Sequence, residues 1–415
     1  MFDGWKIAAA LCAVYFLSVG VGFYGFAAVL PAMIIDLGWT RGNASVGYAL
    51  LSVVIGLSAP LAAVSVRRIG ARNTIIVGGV VSAGGALLTY FTHSLLQYYI
   101  GVGVAIGIGL SFQTLVPGGQ ILTNWFLRRR SLAMGLFLAM SGLGAFLSAP
   151  GLAFLTDQTG NWRYAWLVMA ACNLLASVIA WLYVKNHPSE VGQHQDGVDL
   201  AAPEDGTAIR KSRVYLTTSQ WTARDALATS SFWIIMFASI LVTMGLAINT
   251  SQSVIYLQLD RGLDPVIAGS ALGLVGLMNG LGRFSGGVLG DYIDPRLIMA
   301  GGLAVELIGM VLLNYTDTAA MVYVFAIVFG FGYGHAYVTL PAIIANYFGP
   351  HDYAKILGRS HLIVVPFGAV ASAAAGYAYD QWHSYTIIFL GFAAISVAPV
   401  VMLLLMRPPG WQPSG

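Results

Sequence analysis

Charge is scarce in this sequence: 20 lysines and arginines and 17 aspartates and glutamates are spread over 415 residues, 9% of the chain. That is too few polar groups to coat a water-soluble globule, and a mean hydropathy of +0.77 says the same. Cysteine is nearly absent. Cys12 and Cys172 both fall inside apolar runs, which excludes a disulfide framework and a thiolate metal site and leaves them as packing thiols. There is no nucleotide-binding loop, no metal-spaced set of His, Cys and Asp, and no nucleophile beside a base. Neither catalysis nor a cofactor is expected. Without an ATP-binding segment, the expected energy source is an ion or substrate gradient.

What the sequence has instead is apolar runs of bilayer length. About 20 apolar residues span a hydrocarbon core as helix, and twelve such runs occur, near 7–30, 44–66, 74–92, 98–118, 131–155, 164–184, 232–256, 267–290, 297–314, 320–345, 358–380 and 385–406. Backbone groups find no water in lipid, so runs this long predict helices, whereas barrel strands would be shorter and alternate. The first run is too long for a signal-peptide core and reaches Pro31 without a small-residue cleavage site, so it is expected to be retained. An all-α multi-pass membrane protein follows, with the lipid bilayer as its surroundings and a monomer as the expected state.

The basic residues fall on one side. With the N-terminus inside, 16 of the 20 lie in cytoplasmic segments, among them Arg67, Arg68, Arg72 and Arg128 to Arg130; only Arg41, Arg163 and Arg261 lie opposite, and Arg283 is within a span. The positive-inside rule then puts both termini in the cytoplasm of a plasma or inner membrane. The net charge of +3 reports topology and not nucleic-acid binding.

The polar stretch 185–228 divides the chain into six spans (1–184) and six spans (229–415), and its end, Thr222 to Phe232, reads as a short amphipathic helix entering the seventh span. The halves correspond. Arg67, Arg68 and Gly70 between spans two and three match Gly290, Asp291 and Arg296 between spans eight and nine, and Pro117 with Asn124-Trp125-Phe126 matches Pro341 with Asn346-Tyr347-Phe348. Two six-helix repeats joined by a loop are the layout of alternating-access carriers, whose site lies between repeats near the midplane.

Gly287-Val288-Leu289-Gly290-Asp291 resembles the loop motif of the major facilitator superfamily, with Arg67 in place of the expected aspartate in the first copy. Asp291, Arg67 and Arg68 are thereby implied in gating. Within that superfamily the chain resembles the monocarboxylate transporter family: Asp3-Gly4-Trp5 is a shortened form of its opening motif. The run from Trp125 through Arg128-Arg129-Arg130 to Gly135, ending in Ser141-Gly142-Leu143-Gly144, is similar to its fourth-to-fifth-span signature.

Arg283 is the sharpest feature. It lies in the almost uncharged stretch Val266 to Gly290, with Asn279 one turn earlier on a face shared with Gly269, Gly273, Gly276, Gly280, Gly287 and Gly290. Small residues mark a face packed on protein, so Arg283 points inward. A charge at mid-bilayer costs on the order of 3 kcal/mol, which favours function over an incidental arginine. Its planar guanidinium matches a carboxylate through two parallel hydrogen bonds. The family resemblance implies the same role for an arginine at this place. It also implies an aspartate one turn earlier that helps carry a proton; here Asn279 stands there, able to bind a substrate oxygen but not to titrate. The first-span lysine of animal relatives is missing too, since 7–30 holds no basic residue.

Other candidates remain open at this stage. In span ten Tyr333 and Tyr337 share a face and His335 points almost opposite, so either the tyrosines or the histidine line a cavity. His335, His361 near the cytoplasmic end of span eleven, and Glu306 in span nine are candidates for proton coupling, each with a packing role as the alternative. Gln113 in span four is a candidate substrate ligand, and Tyr15 and Tyr24 in span one are within reach of a cavity or serve as interface anchors. The sequence thus predicts a secondary carrier of a small monocarboxylate such as lactate or pyruvate with a proton. Organic-anion exchange of the oxalate and formate kind, and a non-transporting membrane sensor, are the alternatives.

Overall fold

The computed structural model describes residues 2–126, 130–195, 215, 217, 219, 221–290, 292–349 and 352–409. Among these residues, twelve helices are long and apolar enough to cross a membrane. They are α1 (Gly4–Leu37), α2 (Arg41–Ile69), α3 (Ala71–Tyr90), α4 (Leu95–Leu122), α5 (Ala133–Thr159) and α6 (Arg163–Tyr183). The second six are α7 (Ser230–Asp260), α8 (Pro265–Leu289), α9 (Pro295–Leu313), α10 (Ala319–Phe348), α11 (Ile356–Trp382) and α12 (Thr386–Leu405). No strand occurs among the described residues.

Each helix coincides with one expected run, and most are longer at their ends. α1 continues through Pro31 to Leu37 and stops at Gly38, whose left-handed φ of 62° lets its N–H return to the Ile34 carbonyl. The helix expected from Thr222 to Phe232 is instead two elements. Thr222 caps a short helix Ala223–Leu227, and Thr229 caps the start of α7, accepting from Phe232 N–H at 3.2 Å. Two threonine caps seven residues apart impose a break that apolar periodicity alone does not reveal.

Segments flanking the spans are held by the ends of α4 and α10. Asn124 Nδ2 donates to the Asn186 carbonyl (2.9 Å) and Trp125 Nε1 to that of Lys185 (3.0 Å), binding the segment after α6. In the second half the Asn346 carbonyl accepts from Thr217 N–H (2.8 Å) and Tyr347 packs edge-on against Tyr215. These contacts lie on the face carrying both described ends of the chain, here termed the terminal face.

At the opposite, far face the two halves are tightly joined. α5 and α8 meet backbone to backbone: a methyl placed on Gly142 would lie 2.4 Å from the Gly276 carbonyl, one on Gly273 2.8 Å from Phe146 Cα, and one on Gly269 2.7 Å from the Ala149 carbonyl. The approach has loosened to 3.9 Å at Gly280, and beyond it Gly135 and Gly287 have no neighbour within 4 Å. Gly287 is thus not part of the packed face expected for it. Likewise α2 and α11 interlock from Gly42 and Gly376 to Gly56 and Val365, whereas Leu57 and Leu362, one step nearer the terminal face, are 68% and 74% exposed. The halves splay toward the terminal face.

Candidate functional site

Three glycines of α10 determine where its tyrosines go. Gly330 and Gly334 lie on α8, where a methyl on either would come within 2.5 Å of the Val275 or Asn279 carbonyl. Gly332 lies on α9, against the Glu306 backbone nitrogen. With both neighbours this close, Tyr333 and Tyr337 share the remaining direction and stand 5.5 Å apart, ring to ring.

That direction is toward Arg283. Its guanidinium carbon sits 4.5 Å from the Tyr337 ring centre and 5.9 Å from that of Tyr333, within cation–π range. Tyr15 and Tyr24 of α1 also interact with it electrostatically, so Arg283 stands where the two halves meet. No carboxylate pairs with it among the described residues, and its buried Nε has no hydrogen-bond partner there. Asn279, one turn away and buried, leaves its Oδ1 unpartnered and faces the Tyr24 hydroxyl. Tyr337 is 41% exposed, which marks the open side of the group.

Tyr15 and Tyr24 reach one site because α1 is not wound as an α-helix between them. Nine residues of α-helix are two and a half turns, which would set them on opposite faces. Phe16–Phe23 is instead π-helical. Its wider turn advances less per residue and absorbs the half-turn. Sequence periodicity carries no sign of this, so only the structure brings the two tyrosines together.

The remaining candidates separate. His335 does not face Arg283; it packs on α8, with Nε2 3.1 Å from Ser285 Oγ and Nδ1 3.0 Å from the Phe331 carbonyl. His361 is exposed near the start of α11, its Nδ1 3.1 Å from the Leu357 carbonyl. Gln113 is fully buried inside the first half, where its amide abuts Gly79 of α3 beside Ser177 of α6, and no contact joins it to Arg283. Glu306 is fully buried between helices of the second half and does not pair with Arg283. Arg67 and Arg68 end α2, exposed on the terminal face, while Asp291 lies outside the described residues.

A second cluster, not anticipated from sequence, closes the far face. Arg41 at the start of α2 ion-pairs with Asp260 at the end of α7 and lies over the Tyr379 ring at 3.7 Å. Asp260 also accepts from Tyr379 Oη. Asp380 of α11 accepts the backbone N–H groups of Arg41 (3.2 Å) and Gly42 (2.9 Å), capping a helix of the other half. Beneath them, buried Gln252 of α7 donates to Ser45 Oγ (2.7 Å) and the Ser372 carbonyl (3.2 Å) and accepts from Tyr385 Oη (2.7 Å). Polar groups from both halves thus satisfy one another across the far face.

Comparison with known proteins agrees with this architecture. The sequence model of the Major Facilitator Superfamily matches residues 11–364 and 237–414. The chain is similar to monocarboxylate transporter 2 of Mesocricetus auratus, with 26% identity over 97% of this chain and 83% of that protein. It is also similar to monocarboxylate transporter 13 of Rattus norvegicus, with 27% identity over 94% and 84%. Among solved structures, nucleoside transporter NupG superposes with a TM-score of 0.75 at 12% identity, over 96% of this chain and 99% of that one. An inward-facing bacterial homolog of the human lysosomal transporter Spinster gives 0.69 at 14%, over 97% and 95%. Twelve spans, paired halves and a match along the chain's length together make this a membrane transporter and not an enzyme: the chain belongs to the Major Facilitator Superfamily.

Proposed function

We propose that the protein is a secondary carrier of a small monocarboxylate, lactate or pyruvate in type, working by alternating access with proton symport. The observation that carries this reading is Arg283, a cation with no carboxylate partner among the described residues, at the junction of the halves and ringed by four tyrosines. A buried cation is costly alone, and a carboxylate bound through two parallel hydrogen bonds removes that cost while supplying specificity. Asn279 binds the adjacent oxygen of the substrate, and Tyr333 and Tyr337 close over its apolar end. A substrate of two or three carbons matches a site with one cation, one amide and aromatic walls. The names of the relatives above support the same substrate class.

In this reading both termini are cytoplasmic, which the one-sided distribution of basic residues supports, the protein is a monomer in a plasma or inner membrane, and the arrangement described here opens to the cytoplasm. Anion exchange is the second reading, favoured by Asn279, which cannot carry a proton where the resemblance implies an aspartate. Uptake of radiolabelled lactate by purified protein in vesicles distinguishes the two. Accumulation driven by an inside-alkaline pH gradient, above empty liposomes and with no organic acid inside, is the expected result. Uptake only into vesicles preloaded with a carboxylate would establish exchange instead.

A further inference from the structure

Among the described residues, Glu306 is the one buried acid whose role the substrate site does not explain. It lies in the middle of α9 with no exposed surface, and neither carboxylate oxygen has a hydrogen-bond partner among the described residues. Its side chain turns onto α7, where a methyl on Gly245 would lie 2.1 Å from Oε1 and 2.8 Å from the Phe392 ring of α12. Glycine at 245 is what leaves room for the carboxyl. From the elements packed around it, α7 presents Gly245, α12 presents Phe392, and α10 presents Gly332 and Tyr333. Tyr333 is the titratable group among these. The same phenol ring borders Arg283.

An ionised carboxylate in this enclosure would have no compensating partner, at a cost of several kcal/mol, whereas the neutral acid is tolerated. With Glu306 neutral, Arg283 is an uncompensated cation that attracts an anion. With Glu306 ionised, a second negative charge beside Tyr333 opposes that anion, so that proton binding at Glu306 would favour carboxylate binding at Arg283.

We infer that Glu306 is the proton-binding site of this carrier and that its charge acts on the Arg283 cavity across Tyr333. The inference rests on the symport reading given above.

The test uses the full-length protein in vesicles, with labelled lactate measured in two ways: accumulation driven by an inside-alkaline pH gradient, and exchange against internal lactate at equal pH. E306Q keeps the shape of the neutral acid but cannot release a proton. Its exchange is expected within about twofold of wild type and its pH-driven accumulation reduced to the level seen without a gradient. Wild-type-like accumulation by E306Q would overturn the assignment. Loss of both activities in a folded E306Q protein would overturn it too, by showing a structural need for the ionisable group. If E306Q does not reach the membrane folded, E306D replaces it: the pH of half-maximal accumulation shifts if this carboxyl carries the proton and stays if it does not. Wild-type vesicles that exchange without accumulating, or do neither, would refute the symport reading itself, separately from any variant.

Discussion

Arg41 and Asp260, 219 positions apart in sequence, form an ion pair that ties the first turn of α2 to the last turn of α7 on the closed far face. Both side chains are mostly shielded from water, and Tyr379 covers the guanidinium while bonding the carboxylate. Removing one partner of such a pair leaves the other desolvated and alone. D260N is expected to disfavour the far-closed arrangement by about 2 kcal/mol, roughly a 30-fold change in its population. Cysteine pairs placed across the terminal and far faces would measure this: cross-linking on the terminal face should rise and on the far face fall. Unchanged cross-linking would show that the pair does not govern the equilibrium.

Replacement of Arg283 by lysine keeps the charge and discards the fork. R283K is expected to weaken carboxylate binding by about 2 kcal/mol, near 30-fold, the scale of a charge-assisted hydrogen bond, while R283Q abolishes uptake. Ligand-induced thermal stabilisation of the purified protein reads binding apart from turnover. Wild-type affinity in R283K would place the carboxylate elsewhere.

Asn279 offers a test with a definite sign in pH. In N279D, an ionised side chain beside Arg283 competes with the substrate for the guanidinium. Falling pH protonates that carboxyl and removes the competitor. The ratio of N279D to wild-type uptake, measured at equal internal and external pH, should therefore rise as pH falls, from about one tenth at high pH. A flat ratio would mean that the position 279 side chain does not share a site with Arg283.

His335 has both ring nitrogens engaged between α8 and α10 and makes no contact with the cation. H335Q should cost about 1–2 kcal/mol of stability through lost buried hydrogen bonds, seen as a lower melting temperature. Its pH-driven lactate accumulation per folded molecule should match wild type. Loss of accumulation with exchange intact would instead make His335 the proton carrier.

The spans were legible because bilayer thickness imposes a length that apolar composition reports directly, and Arg283 with Asn279 because a period of 3.6 places them on one face. That Gly269, Gly273 and Gly276 pack on protein followed from the same pattern; that α5 is their partner did not. Other features depend on contacts that no local pattern encodes. Arg41 reads only as one of few basic residues on its side, because its partner is most of the chain away. Gly330, Gly332 and Gly334 read as one glycine run, yet they serve two different helices, and that division is what orients Tyr333 and Tyr337. Gln113 looked like a cavity ligand because a polar side chain in a span invites that reading; the structure turns it into the first half, against Gly79.

The π-helical winding of Phe16–Phe23 makes the grouping around Arg283 sensitive to a quantity no side chain carries, the phase between the two ends of α1. Rewinding that stretch as ordinary helix would rotate Tyr24 by about half a turn relative to Tyr15 and disperse the phenols around Arg283 without altering one residue. Inserting or deleting a single residue there would have the same effect as mutating a ligand. The length of the segment thus bears on the grouping of the two tyrosines as much as the identities of its residues do.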